Sequence, residues 1–126
     1  MNLVAQYTPS ISGEVLCPGD KSISQRAVII GSLLNQDIEI SGFLNGEDPI
    51  STANALNAIG SSITINGTSV SIKKRDIPFK DPSVNVDLGN SGTGMRLMMG
   101  LISSLGIKAT LVGDESLTKR PMLRVA

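Results

Sequence analysis

The chain is 126 residues long and 40% hydrophobic but only 2% aromatic, and its eleven basic side chains balance eleven acidic ones. That length suits one modest domain or part of a larger one, with a core of Ile, Leu, Val, Met and Ala. Balanced charge excludes an overall field for nucleic acid or an anionic membrane, and the absence of histidine excludes His-based triads, His metal sites and a His general base within the chain.

Residues 1–12 form a mixed polar lead-in with at most one short strand around Leu3–Gln6. Residues 13–17 read as a strand, where the single cysteine, Cys17, is expected as a small buried hydrophobe. One cysteine allows no internal disulfide. No basic segment leads into an apolar one at the N-terminus, and no apolar run reaches membrane-spanning length, so a cytoplasmic chain is expected. Residues 21–34 read as a helix whose Ile23, Ala27, Ile30 and Leu34 recur at helical spacing and are expected to face the core. Asp37–Leu44 alternates as a strand. A second helix is expected with Asp48 as N-cap, Pro49 in the first position, an apolar face of Ala53, Leu56 and Ile59, and Gly60 ending it. Asn66-Gly67 between Ser62–Ile65 and Ser69–Lys73 signals a hairpin. Lys73–Pro82 reads as a solvated loop.

The pattern then begins again. Ser83–Leu88 is strand-like, Gly89–Gly94 a small-residue turn, Met95–Leu105 a helix apolar nearly all round and capped by Gly106, and Ile107–Val112 a strand. Gly113–Ser116 turns, and Arg120-Pro121 is expected to open a last helix running to Ala126. At an offset of seventy positions Gly19, Asp20 and Arg26 fall on Gly89, Asn90 and Arg96, with Pro49 and Pro121 at nearly the same offset. The divisions are therefore a lead-in (1–12), a first unit (13–82) and a second, truncated unit (83–126).

Three stretches carry candidate chemistry. In Pro18–Ala27, Lys21 and Ser22 fall in a first helical turn, where free N–H groups and the positive dipole end attract anions, and Arg26 lies one turn on along the same side. A lysine there opposes the dipole. Phosphate or carboxylate binding explains it; a solvated helix start with two surface cations stays open as the alternative. The glycines of Gly89–Gly94 fit neither the dinucleotide pattern nor the P-loop, leaving a turn whose bare backbone approaches a ligand closely. In Gly113–Met122, Arg120 can clamp a carboxylate, although Lys119, Arg120 and Arg124 also read as exposed charges at a helix start.

PGDKSISQRA, LGNSGTGMRLMMGL and GDESLTKRPM, in this order and spacing, resemble the N-terminal part of the 5-enolpyruvylshikimate-3-phosphate (EPSP) synthases. The resemblance implies an α/β (α+β) enolpyruvyl transferase fold of repeated βαβαββ-type units, in two lobes, with buried helices whose N-termini point into the cleft. It implies transfer of the enolpyruvyl group of phosphoenolpyruvate to the 5-hydroxyl of shikimate 3-phosphate with release of phosphate, needing no cofactor or metal. Lys21 would then contact both substrates and support charge development, and Ser22 and Arg26 would hold shikimate 3-phosphate. Asn90, Ser91, Gly92 and Thr93 would line the phosphoenolpyruvate pocket, which Arg120 would serve as an anion ligand; glyphosate would enter the same pocket. The lead-in would pack on the other lobe, a C-terminal partner carrying the proton-transfer acids, so this chain alone is expected to be inactive. Many members have histidine where Gln25 stands. The related UDP-N-acetylglucosamine enolpyruvyl transferases carry a lysine motif like S-G-A-K-N, unlike Pro18–Ser22, and a non-catalytic anion-binding module is the alternative from another class.

Overall fold

Alternating apolar residues in three short runs build the first sheet of the computed structural model, which describes residues 2–123 and 125. Strands β1 (Ile38–Ser41), β2 (Ile63–Asn66) and β3 (Ser69–Ile72) pair antiparallel in the order β1-β3-β2. The register sets Ile38, Ile72 and Ile63 in one row and Ile40, Val70 and Ile65 in the next. Side chains two residues apart share a face, so both rows point the same way. Gly67 and Thr68 make the hairpin turn, with Gly67 at φ +59, while Asn66 ends β2. The turn sits one residue later than the Asn-Gly signal suggested.

Helices α1 (Lys21–Leu33) and α2 (Glu47–Ala58) pack on each other and on this sheet. Asp20 caps α1 by accepting the Ile23 N–H at 2.7 Å. The orientation of α1 overturns the sequence expectation. Its apolar stripe faces outward, with Ile23 69% and Ile30 55% exposed, while Ser24, Gln25, Val28, Gly31 and Ser32 are buried. The reason is close approach, since a Cβ on Gly31 would lie 2.7 Å from the Ile72 side chain and one on Gly19 would collide with the Gly42 carbonyl. A helix this near its neighbours buries small residues, and among the polar ones Ser24 is fully engaged: its Oγ donates to the Asp20 carbonyl at 2.8 Å and accepts the Leu44 N–H at 2.9 Å.

Helix α2 starts earlier than expected, with Gly46 as N-cap, Asp48 in the first turn and Pro49 in the third position. Proline is tolerated there because the N–H groups of the first turn have no intrahelical acceptor. Ala53, Leu56 and Ile59 are buried, and the chain leaves at Gly60 with φ +112.

In the second half β4 (Val86–Asp87) and β5 (Leu111–Val112) pair in parallel, joined by α3 (Gly92–Leu105). The longer strands expected at Ser83–Leu88 and Ile107–Val112 shrink to these two residues each. Helix α3 begins three residues before Met95, capped by Ser91, whose Oγ accepts the Gly94 N–H at 3.0 Å. Met95, Met98, Leu101 and Ile102 are buried and Gly106 (φ +67) closes the helix, but Gly100, Ser103 and Ser104 are exposed. Helix α4 (Glu115–Thr118) is a single turn capped by Asp114, which accepts the Leu117 N–H at 2.7 Å and the Asn90 amide at 2.6 Å. No helix follows Pro121 among the described residues, and Arg124 and Ala126 lie outside them. A residue before proline is disfavoured in the helical region, which stops α4 where it does.

Residues 2–18 are exposed throughout and form no strand, neither at Leu3–Gln6 nor at 13–17, because no described strand lies alongside to take up their backbone hydrogen bonds. Cys17 is consequently exposed, not buried. Among the described residues no helix is long and apolar enough to cross a membrane.

Two outcomes follow for the fold. Ile30→Lys should change stability by no more than about 0.5 kcal/mol, whereas Leu56→Ala, at a wholly buried position, should cost about 2–5 kcal/mol in urea denaturation. A large loss at Ile30 would mean that the stripe is covered in solution. The Asp114 carboxylate is held below its ordinary value of 3.8, first by the Leu117 N–H and then by Asn90. A depressed carboxyl stabilises the fold above its unfolded value, and that contribution disappears as pH falls from 3.8 through the lower folded value. A carboxyl NMR titration should place the Asp114 midpoint below that of Asp114 in the urea-unfolded chain; coincident midpoints would contradict the cap.

Candidate active site

At the start of α1, the lysine that opposes the helix dipole has a counter-charge: Lys21 Nζ lies 2.9 Å from Asp48 Oδ2 in the first turn of α2. Asp48 was expected only as a cap; its real task is to hold Lys21 across two helix termini. Ser22 is half-buried and Arg26 exposed one turn later, and neither forms a side-chain hydrogen bond among the described residues. The structure brings Lys21 to Asp48 but ties Ser22 and Arg26 to nothing, leaving a hydroxyl and a guanidinium open beside the helix terminus.

The start of α3 is built more tightly. Gly89, at φ +55, takes the Asp87 carboxylate on its N–H at 2.8 Å, and its carbonyl accepts the Asp114 N–H at 2.9 Å. The next residue, Asn90, donates to Asp114 at 2.6 Å and accepts from Arg120 Nη2 at 2.8 Å. Arg120 also reaches Ser116 Oγ at 3.3 Å. Arg96, a residue the sequence reading used only to align the two halves, donates to the Gly92 carbonyl at 3.0 Å and the Pro121 carbonyl at 3.1 Å. A Cβ on Gly92 would lie 2.9 Å from Arg120 Nη1 and 3.1 Å from Arg96 Nη1. Two guanidiniums thus flank one glycine at a helix N-terminus. Among the described residues both donate only to neutral oxygens, so neither positive charge is neutralised by contact.

The N–H groups of Gly92 and Thr93 lie in the first turn of α3, where no intrahelical acceptor exists. With the dipole and both guanidiniums they favour a compact anion, carboxylate or phosphate, over any cation or neutral group. Thr93 is half-buried. Ser91 is fully buried, its hydroxyl committed to Gly94 and to Gln25, so it supports the terminus from beneath.

Gln25 joins the two regions. Wholly buried, its Nε2 donates to Ser91 Oγ at 2.7 Å and Thr52 Oγ1 at 2.9 Å. Helices α1, α2 and α3 therefore meet, N-terminal ends together, through one amide. Gly94 makes the room, as a Cβ there would sit 2.7 Å from both hydroxyl oxygens. Nothing in the sequence marked this role, for a glutamine at a helical position reads as surface. An apolar groove lies along α3 between Met95, Met99, Ile107 and Leu117, away from the Lys21 cluster, and it reaches the Gly92 end through Arg120.

Comparison with known proteins identifies relatives of this chain. The family model described as EPSP synthase (3-phosphoshikimate 1-carboxyvinyltransferase) matches residues 6–126. Among curated relatives, the 3-phosphoshikimate 1-carboxyvinyltransferase of Ruthia magnifica subsp. Calyptogena magnifica is 47% identical over 123 residues, covering 97% of this chain and 28% of its own length. That of Petrotoga mobilis is 46% identical over 127 residues, covering 99% and 29%. The solved EPSP synthase of Acinetobacter baumannii superposes with a TM-score of 0.81 at 38% identity, over 89% of this chain and 26% of that one. The chain spans 28–30% of the length of the curated relatives it matches. With its family model running from residue 6 to 126, the chain belongs to the EPSP synthase family.

Proposed function

We propose that this chain supplies the N-terminal part of an enzyme that transfers the enolpyruvyl group of phosphoenolpyruvate to the 5-hydroxyl of shikimate 3-phosphate and releases phosphate. The observation that carries the reading is the Gly92 cradle, with two guanidiniums that hydrogen-bond only neutral oxygens flanking the start of a helix whose first turn is largely buried. Phosphoenolpyruvate, with its carboxylate and phosphate, suits that cradle, and Asn90, Thr93 and Arg120 line it. Lys21, Ser22 and Arg26 hold the phosphorylated acceptor at the neighbouring terminus. Fixed cations and helix N–H groups then meet charge as it develops on the transferring group, without reorganising.

The order of elements supports the division into a lead-in (1–12) and two related units (13–82 and 83–126). Helix α1 with β1 and α2 is followed by α3 with β5 and α4, and α3 begins seventy-one positions after α1. The full reaction requires an acid–base pair within hydrogen-bond reach of the moving protons. We assign that pair to a C-terminal lobe of the kind the longer relatives have room for, and expect no turnover from this chain alone. Steady phosphate release by the pure chain with both substrates would overturn that assignment.

A phosphorus NMR titration of the chain with shikimate 3-phosphate, beside Arg26→Ala, tests the acceptor half-site: binding by the parent and its loss in the variant are expected, and equal binding by both would overturn the role of Arg26. At the other half-site a methyl group on Gly92 pushes against both guanidiniums. Gly92→Ala should therefore weaken glyphosate and phosphoenolpyruvate about 10-fold or more in a full-length form, corresponding to about 1.4 kcal/mol. Equal inhibition of both forms would remove Gly92 from the pocket.

A further inference from the structure

Gln25 is placed where stability alone would not put it. Its side chain is wholly buried, yet its Oε1 has no hydrogen-bond partner. An orphaned buried acceptor is destabilising, and an apolar residue of the same size would remove it. Leucine at this position would leave the two hydroxyls satisfied, because Ser91 Oγ still accepts the Gly94 N–H at 3.0 Å and Thr52 Oγ1 still donates to the Asp48 carbonyl at 3.0 Å. The amide therefore adds something other than satisfaction of its neighbours.

What it adds is geometry. Its one nitrogen binds the Thr52 hydroxyl and, more loosely at 3.4 Å, the Asp48 carbonyl on α2, and the hydroxyl at the cap of α3, from a residue lying between Ser22 and Arg26 on α1. The oxygen it holds on α3 is the one that caps the helix, so any shift of Gln25 is passed to the turn carrying Gly92 and Thr93. Carbon could fill the space, but only a donor of this reach binds both hydroxyls at once.

We propose that Gln25 is a positioning residue that fixes the α3 terminus, with its donor anion, in register with the α1 terminus and its phosphorylated acceptor. The inference rests on the assignment of the two half-sites above. Gln25 touches neither substrate; it sets their mutual placement, and a misplacement of about 1 Å between reacting groups costs about 100-fold in rate.

The test uses a full-length chimera in which residues 1–126 replace the matching 28% of the Ruthia magnifica relative, with Gln25→Leu and Thr52→Val made in it. Melting temperature, kcat and both KM values are measured for each. Gln25→Leu should melt with the parent, bind both substrates with unchanged KM and lose about 100-fold in kcat. Thr52→Val, which removes one of the amide's three contacts and leaves those to Ser91 and the Asp48 carbonyl, should lose less, and it decides the matter if Gln25→Leu does not fold. Unchanged kcat, a rise confined to one KM, or a kcat loss that only tracks a fall in melting temperature overturns the inference. An inactive parent chimera overturns the reading of the half-sites and this inference with it; an active parent with indifferent variants overturns this inference alone.

Discussion

Three helices brought together at their N-termini present three positive dipole ends to one another, and the fold depends on what holds them there. The chain meets the demand in two ways. Carboxylates enter the first turns, with Asp20 capping α1, Glu47 and Asp48 opening α2 and Asp114 capping α4. Between the helices themselves, the Lys21–Asp48 ion pair joins α1 to α2 at the surface, while inside the contact is neutral, an amide and two hydroxyls sharing hydrogen bonds in a space cleared by Gly94. The buried neutral groups tie the termini without cancelling their field. That field remains available at the surface, where Lys21, Arg26, Arg96 and Arg120 add to it.

The arrangement explains how a chain with no net charge concentrates positive charge locally. Eleven cations and eleven anions are spread unevenly. Lys73 pairs with Asp37, Lys119 with Glu115 and Lys21 with Asp48, each lysine well exposed. The guanidiniums beside Gly92 are instead held by backbone carbonyls and side chains without charge. Arginine suits this role because its planar fork can hydrogen-bond a carbonyl on one edge and keep others free.

Most of this was legible from the sequence where local chemistry decides. The Gly-rich turns, the hairpin, the core residues of α2 and the family motifs all rest on short-range rules, and their errors are shifts of one to three residues. The failures share a cause. Helix α1 was oriented by its hydrophobic stripe, but close approach at Gly19 and Gly31 selected the small-residue face for burial, a decision made by neighbours distant in sequence. Residues 13–17 read as a strand and form none, since strand formation requires a partner that local pattern cannot supply. Asp48 reads as a cap and Gln25 as a minor departure from the family's histidine, because the contacts that define them, to Lys21 and to Ser91, span 27 and 66 residues.

The outward stripe of α1 has a thermal consequence. Ile23, Ile30, Leu33 and Leu34, with Leu3, Val4, Tyr7, Ile11, Val15 and Leu16 of the leading segment, are hydrated in the folded chain. Unfolding exposes the leading segment little further and the α1 residues only in part, and the heat-capacity change of unfolding comes from newly exposed apolar surface, at about 0.45 cal/K/mol per Å². Per residue the chain should absorb less than the roughly 12–15 cal/mol/K common to globular domains, and its stability should vary with temperature along a flatter curve. Seen calorimetrically, a helix that turns its apolar side to water belongs in part to the unfolded state already.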